Sequence, residues 1–127
     1  MSQYQATLDR MIWEDIRSRL GELPDDCGCD WRLNADLVAL VHGEDAVRRS
    51  APANVTGDLH AAFALAQAAL PRWEINLFWN PCNGYSAFVT DNDTDGCSGD
   101  QFHGGGETMP LALMMAVVKA KLGERDD

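Results

Sequence analysis

The stretch from Pro71 to Thr90 constrains the fold more than any other. Trp73, Ile75, Leu77 and Trp79 alternate with Glu74, Asn76, Phe78 and Asn80. Period-two alternation marks a strand with one buried face. Phe78 interrupts the polar side, as an exposed contact or as a residue covered by the N-terminal segment. Asn80-Pro81-Cys82-Asn83-Gly84 is rich in turn formers, and Gly84 can take positive φ. Tyr85, Ala87 and Val89 then alternate with Ser86, Phe88 and Thr90. The two runs and their turn predict an antiparallel hairpin. A hairpin alone is marginal in water, so its apolar face needs a cover.

Two flanking helices are expected to supply it. Thr56-Gly57-Asp58 opens an alanine-rich segment. Thr56 is the expected acceptor for first-turn amides, with Asp58 complementing the helix dipole. Leu59, Ala62, Phe63, Ala66 and Leu70 share one stripe, and Pro71 stops the helix. Beyond the hairpin, Thr108 caps a second helix with Pro110 in its first turn, where no amide is lost. Leu111, Met114, Met115, Val118 and Leu122 form its expected buried stripe, and Gly123 closes it.

Upstream, Tyr4, Leu8, Met11, Ile12, Ile16 and Leu20 recur at helical spacing, predicting a helix over 3–20 ended by Gly21. A Cys-containing loop follows. Asn34 is the expected cap of a short helix from Ala35 to Val41. Residues 91–107 are expected as a loop, with an optional short third strand at 101–103 and with Gly104-Gly105-Gly106 as a flexible hinge. These elements predict one α+β domain over 1–127, with helices packed on a small antiparallel sheet in the order α-β-β-(β)-α. Residues 34–123 form the core, and 1–33 are an extension with an extra N-terminal helix.

The 127 residues suffice for a real core, and a hydrophobic content of 46% argues against disorder. Twenty acidic residues against ten basic ones give a formal charge of -10. Such a chain repels phosphate backbones, which disfavours direct nucleic-acid binding. It suits a partner with a basic surface, although an acidic surface more often serves only solubility. The N-terminus lacks a basic and apolar leader, and no apolar run approaches membrane-spanning length, so an intracellular, cytoplasmic protein without membrane association is expected. The four cysteines are then expected as thiols.

Asp91-x-Asp93-x-Asp95-Gly96 matches the first half of an EF-hand-type calcium loop, where alternating carboxylates supply hard oxygens around a tight glycine turn. The match stops there, because the twelfth place is Phe102 instead of a bidentate Glu. A solvated acidic loop is the plainer account. Cys27, Cys29, Cys82, Cys97 and His103 contain enough sulfur and nitrogen for zinc, but only Cys27 and Cys29 are close in sequence, at a spacing shorter than a usual knuckle. Separate thiols are the plainer account there too. Calcium or zinc is the alternative to an expectation of no cofactor. Cys97 and His103 share the same loop, a pairing any loop can carry by chance, and no nucleophile elbow or phosphate loop occurs, so no catalytic residue is expected. His42 and His60 are expected as ordinary surface or packing residues. The aromatic concentration of Trp73, Phe78, Trp79 and Phe88 must supply core on one side and offers a contact surface on the other.

Four segments carry a family resemblance: Ala35-Asp36-Leu37-Val38-Ala39-Leu40-Val41-His42-Gly43, Ala51 to Ala62, Ala69-Leu70-Pro71-Arg72-Trp73, and Thr108-Met109-Pro110-Leu111-Ala112-Leu113. Through them Asn34 to Leu122 resembles the phage ABA sandwich family of small phage and prophage proteins. The family pattern has an aromatic near Val55, where this chain departs from it. The resemblance implies a helix–sheet–helix layering and a phage or prophage setting, and it carries no catalytic residues. The expectation is a non-enzymatic acidic binding protein, an inhibitor of a host nucleic-acid-binding or defence protein. Asp25, Asp26, Asp30, Asp91, Asp93, Asp95 and Asp100 are its candidate contact carboxylates. The alternative is a small-ligand or metal-ion module built on Asp91 to His103.

Overall fold

The computed structural model describes residues 3–22, 31–43, 53–82, 84–91 and 101–123. They form α1 (Gln3–Gly21), α2 (Trp31–His42), α3 (Leu59–Ala69), β1 (Glu74–Asn80), β2 (Gly84–Thr90), β3 (Gln101–Gly106) and α4 (Met109–Leu122). The α+β architecture with helices packed on a small antiparallel sheet is the one expected.

The hairpin forms as its alternation predicts. β1 and β2 pair antiparallel from Glu74↔Thr90 to Asn80↔Gly84. The Asn80 side chain accepts from the Cys82 amide at 2.9 Å, and Gly84 takes φ +72°. β3 is longer than the expected three residues. It pairs with β2 from Thr90↔Gln101 to Tyr85↔Gly106, giving the order β1-β2-β3. The glycines 104–106, expected as a hinge, are therefore strand. The reason is local: a Cβ on Gly104 would lie 2.9 Å from Ala116 Cα, and one on Gly106 would lie 3.0 Å from the Ala112 amide nitrogen. Here glycine serves close approach of a helix, not flexibility.

Opposed residues in an antiparallel sheet share a face. One face therefore carries the rows Ile75/Val89/Phe102, Leu77/Ala87/Gly104 and Trp79/Tyr85/Gly106. α4 lies across β2 and β3 on this side, seating Ala112 and Ala116 against the flat patch of Ala87 and Gly104. Val89, Ala87 and Phe102 are buried, and Trp73 stacks on Phe102 with ring centroids 6.0 Å apart. β1 lies at the rim. Ile75 and Leu77 are half-buried against the core, and Trp79 is 59% exposed. The expectation that Trp73 and the three alternate residues Ile75, Leu77 and Trp79 of β1 are all covered thus fails at Trp79, because α4 lies over β2 and β3 and does not extend across β1.

α4 is capped as expected: Thr108 Oγ1 accepts from the Leu111 amide at 3.4 Å, and Gly123 closes the helix in the left-handed region. It does not have one buried stripe. Residues 110–114, 116–118 and 122 are all buried. A helix apolar all round is a central one. α4 touches β2, β3, α1 and α3, while α2 touches α1 and α3. The sheet is therefore roofed by α4, not jointly by segments 58–70 and 109–122. Among the described residues α4 is the helix that packs broadly on the sheet, and α1 and α3 pack on α4.

α1 belongs to the same core. Trp13, Ile16 and Leu20 are buried within it, whereas Met11 and Ile12, expected in the stripe, are exposed. Arg10 donates to the Leu122 carbonyl at 3.2 Å, tying α1 to the end of α4. Arg19 bridges Asp15 at 3.1 Å and Asp36 at 2.6 Å, tying α1 to α2. The hydrogen bond to Asp36 is the main cause that holds its pKa above the ordinary arginine value; burial opposes it, and the weaker hydrogen bond to Asp15 adds to the rise.

Two capping expectations are corrected. α2 starts at Trp31, so Asn34 lies within its first turn and does not cap it. The buried Asn34 side chain instead reaches the segment before α3, where its Oδ1 receives the Thr56 amide at 2.9 Å and the Thr56 hydroxyl at 2.8 Å. Its Nδ2 donates to Asn54 Oδ1 at 3.1 Å. Thr56 is thereby committed and does not cap α3. Asp58 does, accepting from the His60 amide at 2.9 Å. The stripe of α3 is likewise turned: Ala62, Leu65, Ala66, Ala69 and Leu70 are buried, and Leu59 is exposed. After Pro71, Arg72 takes φ +72° as the chain reverses into β1.

Candidate binding surface

The face of the sheet away from α4 carries the rows Glu74/Thr90/Gln101, Asn76/Phe88/His103 and Phe78/Ser86/Gly105. Three rings from three strands meet there. Phe78 packs edge-on against Phe88 at 5.6 Å between centroids, and Phe88 lies 4.7 Å from His103. Each such contact is worth roughly 0.5–1.5 kcal/mol beyond the area it buries.

The row Phe78/Ser86/Gly105 falls from a large side chain to none, and the surface dips there. The resulting open concavity measures about 640 Å³ and is lined by Phe78, Asn80, Ser86, Phe88, His103 and Gly105. None of these is an aspartate, glutamate, lysine or arginine. The groove therefore offers ring faces, an amide, a hydroxyl and an imidazole. Such a surface stacks and hydrogen-bonds, and it supplies no paired acid and base.

Charge gathers at one end. Glu74 opens β1, and Asp91 follows β2, whose last residue Thr90 faces Gln101. Gln101 Nε2 donates to Thr90 Oγ1 at 3.3 Å across that end. Residues 92–100, which join Asp91 to Gln101, lie outside the described residues together with Asp93, Asp95, Cys97 and Asp100. Asp25, Asp26, Cys27, Cys29 and Asp30 lie outside them too.

The metal candidates that are described do not converge. Cys82 is exposed in the β1–β2 turn, while His103 lies opposite Phe88. From the turn end of the sheet to that row is four residue steps, on the order of 13 Å. Two ligands of one zinc lie within about 4 Å of each other, so Cys82 and His103 do not share an ion. Phe102, at the twelfth place of the calcium-loop pattern, is buried towards α4 and offers no oxygen. Among the described residues no group of three or more His, Cys, Asp or Glu side chains is placed to hold a metal. His42 and His60 are exposed at a helix end and a helix start. Among the described residues no helix is long and apolar enough to cross a membrane.

The aromatic concentration on the hairpin is visible in sequence, and the structure divides it. Trp73 faces the core, Phe78 and Phe88 face outward, and Trp79 overhangs the rim. His103 and Gly105 were not readable as members of the surface, because nothing local gives the register of β3. The alternation of Phe102 with His103 is the one signal present. Comparison with protein-family models, with curated proteins and with solved structures finds no match to this chain.

Proposed function

We propose that the chain is a non-enzymatic binding protein whose contact surface is the sheet face built by Phe78, Phe88 and His103, with acidic residues at its Glu74/Asp91 end. The observation that carries this reading is the aromatic face itself: three rings from three strands, on the side of the sheet away from α4. Aromatic side chains supply a large share of interface energy. A formal charge of -10 favours a partner with a basic surface and speeds encounter with it. Together with the resemblance to small phage and prophage proteins, this gives the concrete form of the proposal: an anti-defence protein acting in the cytoplasm of a bacterial host, which occupies a host protein that otherwise holds nucleic acid. Asp91 stands at the acidic end, and Asp93, Asp95, Asp100, Asp25, Asp26 and Asp30 are the further carboxylates proposed to contribute.

The test is affinity capture from host cells, repeated with an Asp91→Lys/Asp93→Lys/Asp95→Lys variant and with Phe88→Ala. A partner held by the wild type and lost by both variants supports the reading. Equal capture by all three, or no partner, removes it.

A second reading, a small-ligand or metal-ion module on Asp91 to His103, is favoured by the place of His103 in the groove. Native mass spectrometry with and without chelator separates the two. A retained ion or small molecule supports the module, and a bare mass favours the protein binder.

A further inference from the structure

We infer that β1 is a self-pairing edge, through which two copies of this chain join antiparallel into one six-stranded sheet. β1 has β2 on one side and no strand on the other among the described residues. Proteins that keep such an edge unpaired shorten it, bulge it, or place lysine or proline in it. β1 does none of these. It runs seven residues as EINLFWN, has no lysine, proline or glycine, and carries its one charge, Glu74, at its end. The opposite edge, β3, ends in three consecutive glycines and makes a poorer template.

The sequence of β1 fits itself in one register. A two-fold axis perpendicular to the sheet and centred on Leu77 pairs all seven residues and keeps both α4 helices on the same side. Leu77 then faces the partner's Leu77, and Ile75 faces the partner's Trp79, an aromatic against a β-branched residue. On the other face, Phe78 lies opposite the partner's Asn76 and diagonal to the partner's Phe78, within reach of ring contact. This accounts for the rim of the core. Ile75 and Leu77, which α4 leaves half-buried, would be covered, as would Trp79 at 59% exposed and Phe78 at 53% exposed.

Charge agrees with this register. Glu74 meets the partner's Asn80, which is neutral. The two Glu74 residues stand six residue steps apart, on the order of 20 Å and about two Debye lengths at physiological salt. The Asp91 ends of the two copies are thus placed at opposite ends of the junction, away from each other. With a formal charge of -10 on each chain, pairing strengthens as salt rises.

The experiment is sedimentation velocity across a dilution series at about 0.15 M salt, on the wild type and on Phe78→Glu, Trp79→Glu and Gln101→Glu, with circular dichroism as the check on folding. The wild type is expected at twice 13.9 kDa, dissociating on dilution. Phe78→Glu and Trp79→Glu each weaken association by about thirtyfold or more, and Gln101→Glu, on the far edge, leaves it unchanged. A wild type that stays one chain at about 100 µM overturns the inference. So does a dimer indifferent to both β1 substitutions, or one broken by Gln101→Glu alone. Should a β1 variant fail to fold, hydrogen exchange of the wild type decides. β1 amides must slow as concentration rises, and concentration-independent exchange there rejects the pairing.

Discussion

Gly104 of β3 lies directly against Ala116 of α4: a Cβ added to the glycine would come 2.9 Å from the Ala116 Cα and closer still to the Ala116 amide nitrogen and the Ala112 carbonyl oxygen. All three atoms are backbone. Nothing there can rotate away, so the helix itself would have to lift off the sheet.

Gly104→Ala is therefore expected to destabilise the protein by about 3 kcal/mol or more, at or beyond the upper end for overpacking. Gly105→Ala is the internal control. Its Cβ meets nothing closer than 3.8 Å, and the change should be neutral or stabilising by up to about 1 kcal/mol through the unfolded chain. Urea denaturation of the two variants measures the difference.

The Asn34 side chain is the acceptor shared by the buried amide and hydroxyl of Thr56. Asn34→Ala takes that oxygen away from both donors at once and is expected to cost about 2–3 kcal/mol. Thr56→Ser keeps the hydroxyl and should cost under about 1 kcal/mol. Comparable denaturation midpoints for the two variants would show that the contact carries no such energy.

Phe102→Glu completes the calcium-loop pattern in sequence, yet it places a carboxylate against Trp73 under α4. The expected outcome is loss of cooperative unfolding without any gain in calcium affinity, since burying an unpaired charge costs several kcal/mol. Thermal melts with calcium and with chelator should superimpose. A melting temperature raised by calcium would reverse this assignment of the strand.

Arg19 joins α1 to α2 through partly exposed carboxylates, so Arg19→Met is expected to cost at most about 1 kcal/mol. Its pKa is raised in the folded state, chiefly by the hydrogen bond to Asp36. A raised cationic pKa contributes stability that is complete below the unfolded value and is lost only as pH climbs through the folded one. The difference between wild type and variant should therefore stay flat from about pH 6 to 9, as paired urea titrations would show.

The parts of the fold that rest on local chemistry are legible in the sequence. The β1–β2 alternation, Gly84 in the turn, and the Thr108, Pro110 and Gly123 signals of α4 all mean what they predict, because each acts within a few residues. The misreadings arise where a distant partner decides. Asn34 and Thr56 are both good caps by composition, but they bond to each other across the core, leaving Asp58 to cap α3. Gly104 and Gly106 read as flexibility because the helix that requires them lies further along the chain. Ala112 and Ala116, one turn apart, are the signal that would have exposed this. The candidate surface was half visible: Phe78 and Phe88 follow from the hairpin, whereas His103 and Gly105 join them only through the pairing of β3 with β2.

The helix that touches the sheet, α1 and α3 is also the last described element in the chain. During vectorial synthesis β2, β3, α1 and α3 emerge before the helix that all four of them contact. Nascent chains arrested short of residue 109 should be digested throughout by protease, and resistance should appear in one step once residues 109–122 have cleared the ribosome.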